Sequence, residues 1–122
     1  MNSIKNEDFL NQKKDDLRDL AKSLPRKYEV SLTDEFQSQL KKMKSSSDVG
    51  LIWLAKSCII KLAHNHKYPG LNSHRFESLD QRYGEKIWES YVENNTPGAY
   101  RIFWYFGPTN KTITLILITP HP

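Results

Sequence analysis

At 122 residues and 14.3 kDa the chain is long enough for one modest domain with its own core, and it shows no sign of a second. Its single cysteine, Cys58, excludes an intrachain disulfide and fits a reducing, cytoplasmic setting. Eighteen Lys and Arg against fourteen Asp and Glu leave a net charge of +4, compatible with a phosphate-bearing partner but too mild to establish one, while the lack of a membrane-length apolar run or leader pattern predicts a soluble protein without membrane contact.

From Asn6 to Leu24, the seven-residue spacing of Leu10, Leu17 and Leu24, with Leu20 and Ala21 between the last two, predicts an amphipathic helix. Glu7 and Asp8 fall in its expected first turn, and Pro25 closes it. Its apolar stripe is expected to pack back on the rest of the chain; the other reading is a surface for a partner or a second copy. Next, Tyr28, Val30 and Leu32 alternate with Glu29 and Ser31, the period of a half-buried strand. Thr33 can cap a helix with Asp34 and Glu35 in its first turn and Phe36, Leu40 and Met43 on its apolar side. Lys41, Lys42 and Lys44 at its end complement the helix dipole.

After Ser45-Ser46-Ser47, Asp48 can cap a further helix that is apolar over more than half its circumference, through Val49, Ile52, Trp53, Cys58, Ile59, Ile60, Leu62 and Ala63. This is expected to be the central helix on the sheet, ended by Tyr68-Pro69-Gly70. The stretch from Leu71 to Arg82 has no clear period. Three runs rich in aromatic and β-branched residues follow: Lys86 to Val92, Tyr100 to Phe106 and Thr112 to Thr119. Asn94-Asn95-Thr96-Pro97-Gly98 and Gly107-Pro108-Thr109-Asn110 separate them, so they read as a three-stranded antiparallel meander. The predicted class is α+β: a small antiparallel sheet of about four strands, packed against two helices, with an extra N-terminal helix.

No Gly-rich phosphate loop, nucleophile elbow or paired cysteine motif occurs, which argues against nucleotide hydrolysis and thiol chemistry. His64-Asn65-His66 offers no metal set, because residues two apart in a helix point to different faces; a solvated helix end is expected, with no metal and no cofactor. Period two puts Arg101 on one face with Phe103 and Tyr105, and Glu89 with Tyr91 and Glu93. His121 follows the parity of Leu115, Leu117 and Thr119. A lone arginine in an aromatic strand needs a reason, and a cross-strand pair with Glu89 or Glu93, worth about 0.2 to 1 kcal/mol, is one. His74, Arg75, Glu89, Glu93, Arg101 and His121 are the acids, bases and cations that the sheet could gather.

The order of these elements, with Tyr100-Arg101-Ile102 in the middle strand and Thr119-Pro120-His121 closing a hydrophobic last strand, resembles the RelE/ParE superfamily of bacterial toxins from toxin–antitoxin pairs. The resemblance covers roughly residues 28 to 122 and makes residues 1–27 an N-terminal helical extension of a toxin domain at 28–122. It implies a ribosome-dependent mRNA endonuclease that inhibits translation and is neutralised by a cognate antitoxin protein. The same superfamily offers a non-catalytic inhibitor of DNA gyrase as the alternative, and a non-toxic binding module with this fold is the third reading.

RNA cleavage by the substrate's own 2′-hydroxyl needs a base, a cation for the phosphorane and an acid for the leaving oxygen, and no metal. The resemblance casts Arg101 as the cation and His121 as a proton carrier, with Glu89 or Glu93 as base. His74 and Arg75 would contact the substrate, and Tyr91, Tyr105 and Phe103 offer flat surfaces for a base. The last strand departs from the densely basic pattern of many members, having no Lys or Arg, and Pro120 and Pro122 flank His121.

Overall fold

The elements run α1 (Asn2–Ser23), β1 (Glu29–Leu32), α2 (Asp34–Lys44), α3 (Val49–His64), β2 (His74–Arg75), a 3-10 turn (Glu77–Leu79), α4 (Asp80–Tyr83), β3 (Trp88–Tyr91), β4 (Tyr100–Phe106) and β5 (Thr112–Pro120). The structure, a computed structural model, describes residues 2–46, 48–93 and 98–120, with residues 2–6 described by backbone alone. Residues 94–97 of the predicted break at 94–98, and the candidate His121, lie outside the described residues.

The strands form one sheet in the order β1-β5-β4-β3-β2. β3, β4 and β5 make the expected antiparallel meander. β1 joins β5 in parallel, with Val30 opposite Ile113, and the two-residue β2 adds a fifth strand at the other edge. The class and the added N-terminal helix are as predicted, and the sheet is mixed rather than wholly antiparallel.

Local chemistry sets the helix starts. Thr33 accepts the Phe36 amide at 3.2 Å, and Asp48 accepts the Leu51 amide at 3.2 Å, so each fills an orphan donor of a first turn. α2 and α3 then lie on one face of the sheet. There Phe36, Ala55, Leu62, Ile102, Trp104, Ile113 and Leu115 form the larger core. On the opposite face Ile87, Phe103, Ile116 and Leu117 are covered by Phe76, Leu79 and Tyr83, so the stretch without a period folds over the back of the sheet.

A β-bulge in β5 changes which of its residues face each core. Trp104 pairs with Leu115 while Phe103 pairs with Leu117, leaving Ile116 as the extra residue. Leu115 and Leu117 therefore belong to opposite cores, and the single parity expected for Leu115, Leu117, Thr119 and His121 does not hold along β5.

The His64-Asn65-His66 segment is not a solvated end. His64 Nδ1 meets the Pro25 carbonyl oxygen at 2.7 Å, which ties the segment after α1 to the end of α3. His66 lies edge-on to Phe106, Trp88 and Trp104, with centroids 5.2, 5.8 and 5.8 Å away, and its Nδ1 is 3.3 Å from the Tyr28 hydroxyl. Among the described residues no group of three or more His, Cys, Asp or Glu could hold a metal, and no helix is long and apolar enough to cross a membrane.

α1 begins four residues before the expected start, so Glu7 and Asp8 stand in its second turn. Its second half lies beside α3 and runs the same way. Lys13, Leu17 and Leu20 line a shallow cleft of about 290 Å³ with Gly50, Trp53, Leu54 and Ser57. Residues 7–12 are all exposed.

Removing the α2 cap with Thr33→Ala should cost about 1 to 2 kcal/mol in urea denaturation, since the hydroxyl also sits 3.3 Å from the Leu115 and Ile116 carbonyls. His66 gives a pH effect. Burial lowers its pKa from the ordinary 6.5, and the charges of Lys67 and Lys27 push the same way. The unfolded chain therefore binds the extra proton. Stability is full above a pH of about 6.5 and falls as pH drops from there through the lower folded-state value. Denaturation midpoints across that window should slope less in His66→Phe than in the wild type, and equal slopes would sink the assignment.

Candidate functional site

The register of β3 against β4 brings the sequence candidates together. Tyr91 stands opposite Arg101, and Glu89 opposite Phe103, all on the sheet face turned away from α2 and α3. On the other side of β4, Thr119 is the partner of Arg101. The Arg101 guanidinium lies over the Tyr91 ring, 3.9 Å from its centroid, and donates from Nη1 to the Tyr100 carbonyl at 3.0 Å. A desolvated contact of this kind is worth about 2 kcal/mol.

β2 supplies the third member. His74 is opposite Glu89, and its Nε2 sits 2.8 Å from Glu89 Oε1. Its Nδ1 meets the Asn72 carbonyl oxygen at 2.6 Å, and its ring stands edge-on to Tyr91 at 5.9 Å. Both partners of the imidazole are acceptor oxygens, so each ring nitrogen faces one. Ser73 fastens this segment to β3 through a 2.7 Å hydroxyl contact with Ser90, which also accepts the Trp104 indole N–H at 2.8 Å.

The cluster is unevenly exposed. Arg101 and Glu89 are each 1% exposed, whereas the His74 side chain is 42% exposed and Tyr91 is half-buried. Burying a carboxylate or a guanidinium costs on the order of several kcal/mol before its partners are counted. Both occupy strand positions where an apolar residue would serve the fold.

The other candidates lie apart from this group. The Glu93 carboxylate accepts the Tyr100 amide at 2.8 Å and so closes the β3–β4 connection. Arg75, one residue along β2 from His74, donates to the Ile87 carbonyl at 3.1 Å and forms an ion pair with Asp80. The Ile87 amide above all, with Arg75 adding, holds the Asp80 carboxyl below the usual carboxylate range. Tyr105 packs with the Phe103 cluster, four residues along β4 from Arg101 and roughly 13 Å away at strand rise.

Beside Tyr91 and Glu93 opens a cleft of about 500 Å³ that reaches Leu54, Lys61 and Cys58 of α3. The Cys58 thiol donates to the Tyr91 carbonyl at 3.4 Å, and burial pushes its pKa up to about 12. It is a packing residue of α3 that lines this cleft.

Sequence reasoning missed Asn72. It adopts φ 47°, the only positive φ at a non-glycine among the described residues, and that turn aims its carbonyl at His74. An asparagine two residues after Pro69-Gly70 was the available signal, because Asn tolerates the left-handed region better than most residues.

Protein-family models give no match to the chain, and curated proteins give none either. Among solved structures the chain is similar to one in the crystal structure of the archaeal RelE-RelB complex from Pyrococcus horikoshii OT3. The TM-score is 0.55 and the identity 11%, covering 77% of this chain and 94% of that one. At that identity the likeness is one of fold, and this chain has a RelE-like fold.

If Asn72 is held left-handed to orient His74, Asn72→Gly should leave the melting temperature near that of the wild type, whereas Asn72→Val should cost about 1 to 3 kcal/mol. Equal effects of the two variants in thermal unfolding would remove the backbone explanation.

Proposed function

We propose that this chain is the toxin of a toxin–antitoxin pair and that it cleaves mRNA at the ribosome. The observation that carries the reading is the charged group of Glu89, His74 and Arg101 around Tyr91, set into a sheet face that folding alone would fill with apolar side chains. The RelE-like fold supports it, and the similar Pyrococcus horikoshii structure is a RelE-RelB complex, which supports an antitoxin as the protein partner.

In the proposed reaction the 2′-oxygen of the RNA attacks its adjacent phosphorus and the 5′-oxygen leaves. Glu89 takes the 2′ proton, and the His74 ring bonded to it gives a proton to the leaving oxygen. Arg101 balances the phosphorane charge, and Tyr91 offers its ring to a base. His121, two residues past the partner of Arg101, is the alternative proton donor. No metal enters this scheme.

One observation favours a second reading. Arg101 and Glu89 are almost wholly buried and both His74 nitrogens are in use, so the RNA would have to displace what covers them. A protein of this fold that acts by binding alone, on gyrase or another target, needs no such opening.

Cell-free translation with 5′-end mapping of the mRNA separates the two. Wild-type protein should produce ribosome-dependent cuts, and the isosteric Glu89→Gln and His74→Gln should lower them by about 100-fold or more. Intact mRNA with folded wild-type protein would overturn the nuclease and leave the binding reading.

A further inference from the structure

A basic end of the molecule lies apart from the charged site, five residues along β4 from Arg101 and roughly 17 Å away at strand rise. β1 begins there. The Glu29 amide donates to the Lys111 carbonyl at 2.7 Å, and the Lys27 and Tyr28 amides donate to the Ala63 carbonyl of α3 at 2.8 and 2.9 Å. Lys27 stands over the Tyr28 ring, with Nζ 5.4 Å from its centroid, and the charges of Lys27 and Lys67 both reach His66. Tyr28 and His66 lie against Phe106, with centroids 5.8 and 5.2 Å away. Phe106 and Trp88 in turn wall a cavity of about 780 Å³ that Lys86 borders. Arg26, Lys27, Lys67, Lys86 and Lys111 are all exposed, and none forms an ion pair. The acids beside them are Glu29, Glu85 and Asp80, and Asp80 is already paired with Arg75. Five cations against two acids put an excess of three at this end, in a chain whose total is +4.

We infer that this end binds single-stranded RNA, with the basic side chains on successive phosphates and a base in the cavity against Trp88 and Phe106. The inference rests on the reading of RNA as the substrate, and it concerns RNA outside the segment that is cut. Charge alone would suit any polyanion. The aromatic wall selects among them. A nucleic acid strand brings a flat base with every phosphate, and a half-buried aromatic ring inside a basic surface is what such a base stacks on. An acidic peptide brings carboxylates without a planar group beside each. A duplex keeps its bases in its own stack, so the strand must be single.

Fluorescence anisotropy of the full chain with a labelled single-stranded RNA of about ten nucleotides, without ribosomes, should show saturable binding. Between about 50 and 200 mM salt, log Kd should rise with log salt concentration at a slope of about 2 to 3.5, as for about three to five phosphate contacts. Lys67→Gln with Lys111→Gln should lower that slope by about 1.4 and weaken binding by about 10-fold at the low-salt end. Lys41→Gln with Lys44→Gln removes the same charge at the end of α2, beside the start of α3 and so roughly 24 Å away along that helix, and should change affinity by less than about twofold. All four lysines are exposed, so the substitutions leave the core intact. Polyglutamate at equal charge should compete at least about 10-fold less well than unlabelled RNA. No binding, an equal loss in the two double variants, or equal competition by polyglutamate would each overturn the proposal, the last giving this end to an acidic protein. RNA binding by a protein that leaves mRNA uncut in translation would remove the nuclease and keep this inference, whereas cuts without such binding would do the reverse.

Discussion

β4 is paired along its length with β5 and from Arg101 to Trp104 with β3, and the identity of each sheet face depends on that double ladder. A slip of one residue in β4 would carry Arg101 and Phe103 to the helix side and send Ile102 and Trp104 to the back. The cost of such a slip is large in both directions. Trp104, fully buried, stacks on Trp88 at 5.6 Å and gives its indole N–H to Ser90, whereas Arg101 has the Tyr91 ring beneath it. The aromatic interior thus fixes, from the opposite face, where the charged residues must stand.

Legibility in the chain tracks the strength of its local signals. Thr33 and Asp48 are side chains that can do one specific thing at a helix start, and both do it. β4 was legible because its flanking turns and aromatic content allow little else, and its alternation put Arg101 on the face where it is found. β5 was legible as a strand but not in detail. Its residues are apolar toward both faces, so no alternation marks where a residue is inserted, and the extra Ile116 reverses the parity of the residues after it.

The site shows the same division. Strand parity groups Glu89 with Tyr91 on β3 and Arg101 with Phe103 on β4, and only the register of the two strands brings both sets to one face. His74 joins them only because a two-residue strand pairs with β3, and a strand that short leaves no periodic trace. Arg75 next to it, chemically a similar candidate, is turned to Asp80 by that same alternation. The place of His66 is hidden for a related reason: adjacent polar letters in sequence conceal that the chain beyond α3 bends into the aromatic core.

The one thiol of the chain bears on how the protein meets oxidants. Cys58 is 2% exposed, and its raised pKa keeps the thiolate, the form that reacts, scarce at neutral pH. A sulfur so placed is a poor target for peroxide and a poor partner for disulfide exchange. The fold should therefore keep the same covalent state in oxidising and reducing surroundings alike, and a single cysteine in this position carries no information about the compartment in which the protein works.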